Sequence, residues 1–124
     1  MEFDKEKIIL TVEKPMHLTE DDIDGIIVGA FEGGINYWGY LAPMPDKPKG
    51  EPSSQWATRK LLDGYFVHIL DQEDENERWT LNLDMLKKGI QMNIQQRTRK
   101  YEDYDAEDYD CIIQYALFDS LVYG

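Results

Sequence analysis

Four of the chain's five prolines, Pro43, Pro45, Pro48 and Pro52, fall within Ala42 to Ser54 together with Gly50. Proline lacks a backbone donor and fixes φ, so a run of this density excludes a continuous helix or a central strand. The segment 42–54 is expected to be an irregular surface loop. At 124 residues the chain cannot hold two independent cores, and a single domain is expected over 1–124.

Around that loop the hydrophobic periodicity changes several times. Lys7 to Glu13 (KIILTVE) is compact and β-branched and reads as a first strand, ended by Pro15. Thr19 followed by Glu20, Asp21 and Asp22 offers a hydroxyl cap and negative charge for the positive end of a helix dipole. Ile23, Ile26, Ile27 and Ala30 then recur at helical spacing, so a helix is expected over 20–32, with Gly33-Gly34 as a left-handed stop. Ile35 to Leu41, Gly64 to Leu70 and Arg78 to Leu83 read as strands, the last two joined by an acidic hairpin loop over 71–77. Asp84 is expected to cap a second helix bearing Leu83, Leu86, Ile90 and Ile94 on one face, weakened by Gly89 by roughly 1 kcal/mol relative to alanine. Tyr101 to Asp110 reads as a charged connector into a last helix, with Ile112, Ile113, Ala116 and Leu117 apolar. The order β-α-β-β-β-α-α predicts an α+β fold: a small antiparallel sheet of about three or four strands with about three helices on one face.

Charge is concentrated. The chain carries 25 acidic against 13 basic residues, a formal net charge of −12. That balance disfavours direct binding to nucleic acid or to an anionic membrane, both of which need a positive field. Four acids lie in 20–24, five in 71–77 and six in 101–110, together 15 of the 25, with no Lys or Arg among them. One reading is solvated surface and helix-end compensation. The other is a nucleic-acid mimic, since carboxylates three or four apart on a helix sit about 5–6 Å apart and can imitate a row of phosphates. Candidate partner-binding residues are Glu102, Asp103, Tyr104, Asp105, Glu107 and Asp108, with Asp71, Glu73, Asp74 and Glu75. Tyrosines interleaved with the acids, Tyr101, Tyr104 and Tyr109, suit an interface. A mimic requires that acids from at least two runs share one face, because charges further apart than roughly 8–10 Å are screened from each other. An EF-hand is not matched: counted from Asp103 the sixth position is Asp108 and the twelfth Gln114, and counted from Asp71 the sixth is Asn76. The bases Lys87, Lys88, Arg97, Arg99 and Lys100 are expected chiefly to neutralise the acidic connector.

Gly33 to Tyr40 (GGINYWGY) is the alternative site. Tyr37, Trp38 and Tyr40 beside glycine-exposed backbone could stack a planar, nucleotide-like ligand, or Trp38 could be a core anchor. Trp38 is expected to be at least partly buried, with its neighbours defining the main concavity. The spacing is neither GxGxxG nor a Walker loop. Catalytic signals are sparse. His17 and His68 are the only imidazoles, His68 lies in an apolar strand, and neither forms an HxxxH pair. Cys111, the only cysteine, adjoins Ile112 and Ile113 and reads as core, which rules out an intramolecular disulfide. Asp63 and Asp71 flank the His68 strand without a readable geometry. No catalytic residue, cofactor or metal ligand is assigned, and a non-enzymatic protein is expected. The N-terminus lacks an apolar signal region and the longest apolar stretch, Ile26 to Phe31, is far short of a bilayer span, so a cytoplasmic location is expected.

The stretches DDIDGIIVGAFEGGINYW (21–38), 64–83 and DCIIQYALFDSLVYG (110–124) resemble a family of small acidic proteins of phages, prophages and gut Firmicutes. Its members carry an acid-rich start, a GG-x-x-YW turn and an IIQYALFG-like tail. Gly39 stands where many of them have cysteine, and Asp119 where they have glycine. The family has no established activity, so the resemblance carries over no functional residue. It implies a context: an accessory protein of a mobile element, acting against host defence or nucleic-acid machinery. The leading expectation is an anti-CRISPR-like or other anti-defence inhibitor that binds a host nucleic-acid-handling protein. The alternative is a small-ligand module at Tyr37, Trp38 and Tyr40. A homodimer is left open.

Overall fold

The computed structural model describes residues 15–97 and 99–124. The strand expected at Lys7 to Glu13 lies outside the described residues. The elements in order are α1 (Glu20–Gly29), β1 (Gly39–Leu41), α2 (Ser53–Leu62), β2 (Val67–Asp71), β3 (Arg78–Leu81), α3 (Leu83–Gln96) and α4 (Ala106–Phe118). The three strands form one antiparallel sheet in the order β1-β2-β3, with Leu41 opposite Ile69 and Ile69 opposite Trp79. Val67, Ile69 and Leu81 are buried beneath the helices, while His68 and Thr80 on the other face are exposed. This is the one-sided α+β arrangement expected from the order of elements.

α1 starts as its sequence dictates: Thr19 Oγ1 accepts the Asp22 N–H and the Asp22 carboxylate accepts the Thr19 N–H, a complete capping box. Its end differs from expectation. Gly33 and Gly34 do not turn left-handed; Ala30–Gly34 continues as a single π-helical turn, and Ile35 N–H reaches the Ala30 carbonyl at 2.9 Å. Gly34 is required for another reason. A Cβ there would stand 2.7 Å from the Ala106 carbonyl, so the glycine lets the first turn of α4 pass against this π-helical turn. Ile35 to Trp38 form a turn, which shortens the expected strand to Gly39–Leu41.

The proline-rich segment is irregular only as far as Pro52. α2 begins at Ser53 and buries Ala57 and Leu61, and Gly64 (φ 89°) ends it, with the Tyr65 N–H on the Lys60 carbonyl at 2.8 Å. Gly64, expected to open a strand, thus closes a helix. α3 is capped by Asn82, not Asp84: Asn82 Oδ1 accepts the Met85 N–H at 2.8 Å. Gly89 proves to be a contact, because a Cβ there would collide with the Ile112 carbonyl where α3 crosses α4. The expected connector 101–110 is half helix: a 3-10 turn at Tyr101–Asp103, then Asp105 capping α4 with Asp108 reciprocating.

Candidate functional site

The acids divide into those the fold consumes and those it presents. Asp22, Asp105 and Asp108 belong to capping boxes. Asp108 is fully buried, with Arg97 Nε at 2.9 Å from one oxygen and Arg99 Nη1 at 3.0 Å from the other. The Arg97 N–H is not aligned on that oxygen, so the contact is an ion pair rather than a hydrogen bond. Arg99 also bridges Asp105 at 3.0 Å, and Arg97 lies 3.5 Å from Glu107. Burial alone would raise the Asp105 carboxyl, but the Arg99 bond and the Asp108 and Glu107 N–H groups hold it below the usual range. The arginines therefore neutralise the connector, as the charge pattern predicts.

Asp71 is likewise occupied: its Oδ1 accepts the Glu73 and Asp74 N–H groups at 2.7 and 3.0 Å, which folds the hairpin loop. Asp110, buried, accepts Tyr37 Oη at 2.6 Å, Trp38 Nε1 at 2.8 Å and Gln114 Nε2 at 2.9 Å.

Of the acids left on the surface, those of two runs lie on turns that one tyrosine links into a shared patch. The Tyr101 hydroxyl donates to the Asp22 carbonyl at 3.4 Å, so the 3-10 turn that carries Glu102 and Asp103 is tied to the first turn of α1, which carries Glu20 and Asp21. Burial, then the Asp22 carboxylate, pushes the Tyr101 phenol up to about 12. The junction does not come from side-by-side helix starts, as α4 begins against Gly34. At 1.5 Å rise per residue that is about 18 Å along the helix from Asp22. Glu107 belongs with the arginines rather than with this patch. Tyr104 is buried, and among the described residues no hydrogen bond or ion pair joins the exposed Glu73, Asp74 and Glu75 to the patch.

Tyr37 and Trp38 meet at the Asp110 carboxylate, whereas Tyr40 lies apart from them on the sheet. Trp38 is buried, as expected, but its ring stacks on Tyr123 at 4.8 Å and meets Trp79 and Phe118 at 5.7 and 5.8 Å. Tyr40 stands opposite Leu70 on the solvated face of the sheet, and the half-exposed Tyr37 is tied to Asp110. A groove of about 810 Å³ lies elsewhere, between α1 and α3, and Trp38 does not line it. Its walls include Leu62 at the end of α2, a helix whose pattern (Trp56, Ala57, Leu61) is readable but shadowed by the prolines before it.

Among the described residues no three His, Cys, Asp or Glu side chains converge as a metal site, and no helix is long and apolar enough to cross a membrane. His68 Nδ1 lies 3.2 Å from Thr80 Oγ1 in a cross-strand pair. Cys111 is buried, 3.3 Å from Arg97 Nη1, and burial raises its thiol. No protein-family model, curated protein or solved structure matches the chain.

Proposed function

We propose that this chain is a non-enzymatic accessory protein of a phage or prophage, an anti-CRISPR-like nucleic-acid mimic that inhibits a host nucleic-acid-handling or defence protein in the host cytoplasm. The reading rests on one observation: Tyr101 joins the acids at the start of α1 to those of the 3-10 turn. Glu20, Asp21, Glu102 and Asp103 are exposed there. A basic groove laid across Tyr101 would meet these carboxylates together. With a net charge of −12 behind it, such a patch attracts a basic groove and repels nucleic acid itself. The acids that cap helices or bind arginines hold this surface in shape. Stacking of a nucleotide-like ligand on Trp38 has less support, because Tyr123 already covers a face of that ring.

The test is capture of a nucleic-acid-handling protein from host lysate at low and high salt, with duplex DNA as competitor. The chain should retain such a partner at low salt, lose it steeply as salt rises and lose it to the competing DNA. Exchange of Glu20, Asp21, Glu102 and Asp103 for Gln or Asn should abolish capture while leaving the helical content unchanged. Salt-insensitive capture, or capture by the folded fourfold variant, would overturn the proposal.

A further inference from the structure

α3 passes close to α4 at Gly89, against Ile112 and Ala116. One helical turn further along α3 the interface becomes polar. Asn93 of α3 and Asp108 of α4 are 0% exposed, and Tyr104, which closes the 3-10 turn before α4, is 8% exposed. Asn93 Oδ1, Asn93 Nδ2, Tyr104 Oη and Asp108 Oδ1 have no hydrogen-bond partner among the described residues. The three side chains belong to one cluster. The Arg97 N–H donates to the Asn93 carbonyl at 2.9 Å, and Arg97 Nε stands 2.9 Å from Asp108 Oδ1. Burial pushes the Tyr104 phenol up, against an opposing pull from the neighbouring Asn93 side chain, and Asp108 and Arg97 act on the same hydroxyl. Buried polar atoms in native folds are satisfied by protein or by ordered water in the great majority of cases.

We infer that this cluster is a binding site for an internal water molecule, which bridges Asn93 of α3 to Tyr104 and Asp108 at the start of α4. The inventory of donors and acceptors selects the ligand. Asn93 Nδ2 needs an acceptor, Asn93 Oδ1 and Asp108 Oδ1 need donors, and Tyr104 Oη can serve as either. A cation leaves the amide N–H groups unserved and is repelled by Arg97. An anion leaves both oxygens unserved and is repelled by Asp108. A direct Asn93–Tyr104 bond satisfies one amide atom and leaves the other unpaired, together with Asp108 Oδ1. A single water donates and accepts at once, which matches the set. The site has a structural consequence. The Tyr104 N–H donates to the Tyr101 carbonyl at 3.1 Å and so closes the turn that carries Glu102 and Asp103. The water fastens that turn to α3, whatever those acids bind.

A crystal structure of the unmodified chain that resolves internal waters tests this directly. It should show one water hydrogen-bonded to Asn93 and to Tyr104 or Asp108. A direct Asn93–Tyr104 bond without a water, or a coordinated ion in its place, overturns the inference. In solution, oxygen-17 relaxation dispersion counts long-lived internal waters without interference from exchanging hydroxyl protons. The count should fall by one in the double variant Asn93→Leu with Tyr104→Phe, and an equal count in variant and parent overturns the inference. Asn93→Leu alone separates a hydrated amide from a dry one. With the water bound, losing the amide leaves Tyr104 and Asp108 underserved, and the melting temperature should fall by several degrees. A dry, unpaired amide would instead be relieved by a leucine of similar shape. A melting temperature at or above that of the parent therefore overturns the inference as well.

Discussion

Gln114 holds Tyr123 through both ends of one amide: its Oε1 accepts the Tyr123 N–H at 2.8 Å, and its Nε2 lies 3.3 Å from the Tyr123 carbonyl as donor. The same Oε1 accepts the Val122 N–H at 2.7 Å, and Nε2 also serves Asp110. A single buried glutamine thus latches the C-terminal tail to α4 and, through Tyr123, places the ring that stacks on Trp38.

Gln114→Leu keeps the volume and removes every one of these bonds. Two backbone donors lose their acceptor and Asp110 loses one donor, which should cost about 2–4 kcal/mol. Urea denaturation should show a lower midpoint with an unchanged slope, and near-ultraviolet dichroism should report a loosened Trp38–Tyr123 stack. A midpoint equal to that of the parent would show that the latch contributes nothing.

Two glycines inside helices should respond to alanine with opposite signs. Gly25 is on the exposed side of α1, and a Cβ placed there would meet nothing within 4 Å. Gly25→Ala should therefore stabilise by about 0.5–1 kcal/mol. Gly89→Ala gains the same propensity but drives its methyl into the Ile112 carbonyl and Ala116, and should destabilise by about 1–3 kcal/mol. Thermal melts of the two variants decide the matter, and equal shifts would refute the close α3–α4 crossing.

That contrast shows where sequence is legible and where it is not. Thr19 and Asp22 cap α1 across three residues, and Trp38 is buried, both as the local pattern predicts. The roles of Gly34 and Gly89 depend on what α4 brings against them, so each reads locally as a stop or a weak point. Asp110 is the sharper case. Its donors Tyr37 and Trp38 lie 73 and 72 positions away, and nothing near Asp110 distinguishes it from the other acids of its run. The acidic runs are readable as charge; their division into caps, ion pairs and open surface follows from tertiary contacts. Asp105, inside the stretch read as a connector, is a cap the sequence does offer, since Asp108 follows at the reciprocal spacing.

Alkaline pH should strain two tyrosines. Tyr101 is raised to about 12 by burial and then by Asp22; Tyr37 is raised to about 12 by burial of its hydroxyl and then by its bond to Asp110. An ordinary phenol titrates near pH 10. Because the folded values are the higher ones, the stability these groups contribute is whole below about pH 10 and is lost as pH climbs toward about 12. Phenolate absorbance should therefore show a late component, and Tyr101→Phe should lose less stability than the parent between those limits. Simultaneous titration of all eight tyrosines at the ordinary value in the folded chain would contradict this.

The end of α4 gives the last test. Asp119 is its C-cap in the left-handed region, φ 60°, with its N–H on the Tyr115 carbonyl at 3.1 Å. That conformation costs most L-residues about 1–2 kcal/mol, and a short polar side chain such as aspartate rather less. Against this stands the Lys88–Asp119 bridge at 2.6 Å, whose carboxylate side chain is 71% exposed and which is worth at most about 1 kcal/mol. Asp119→Gly removes the backbone penalty and the bridge together, for a net gain of about 0.5 kcal/mol and a melting temperature about 2 °C higher. Asp119→Ala loses the bridge and keeps the penalty in full, so it should melt below the parent. The predicted order is Gly above Asp above Ala. Added salt should widen the gap between Gly and Asp, because it screens the one interaction that favours aspartate. If alanine melts as high as glycine, backbone conformation does not govern this cap.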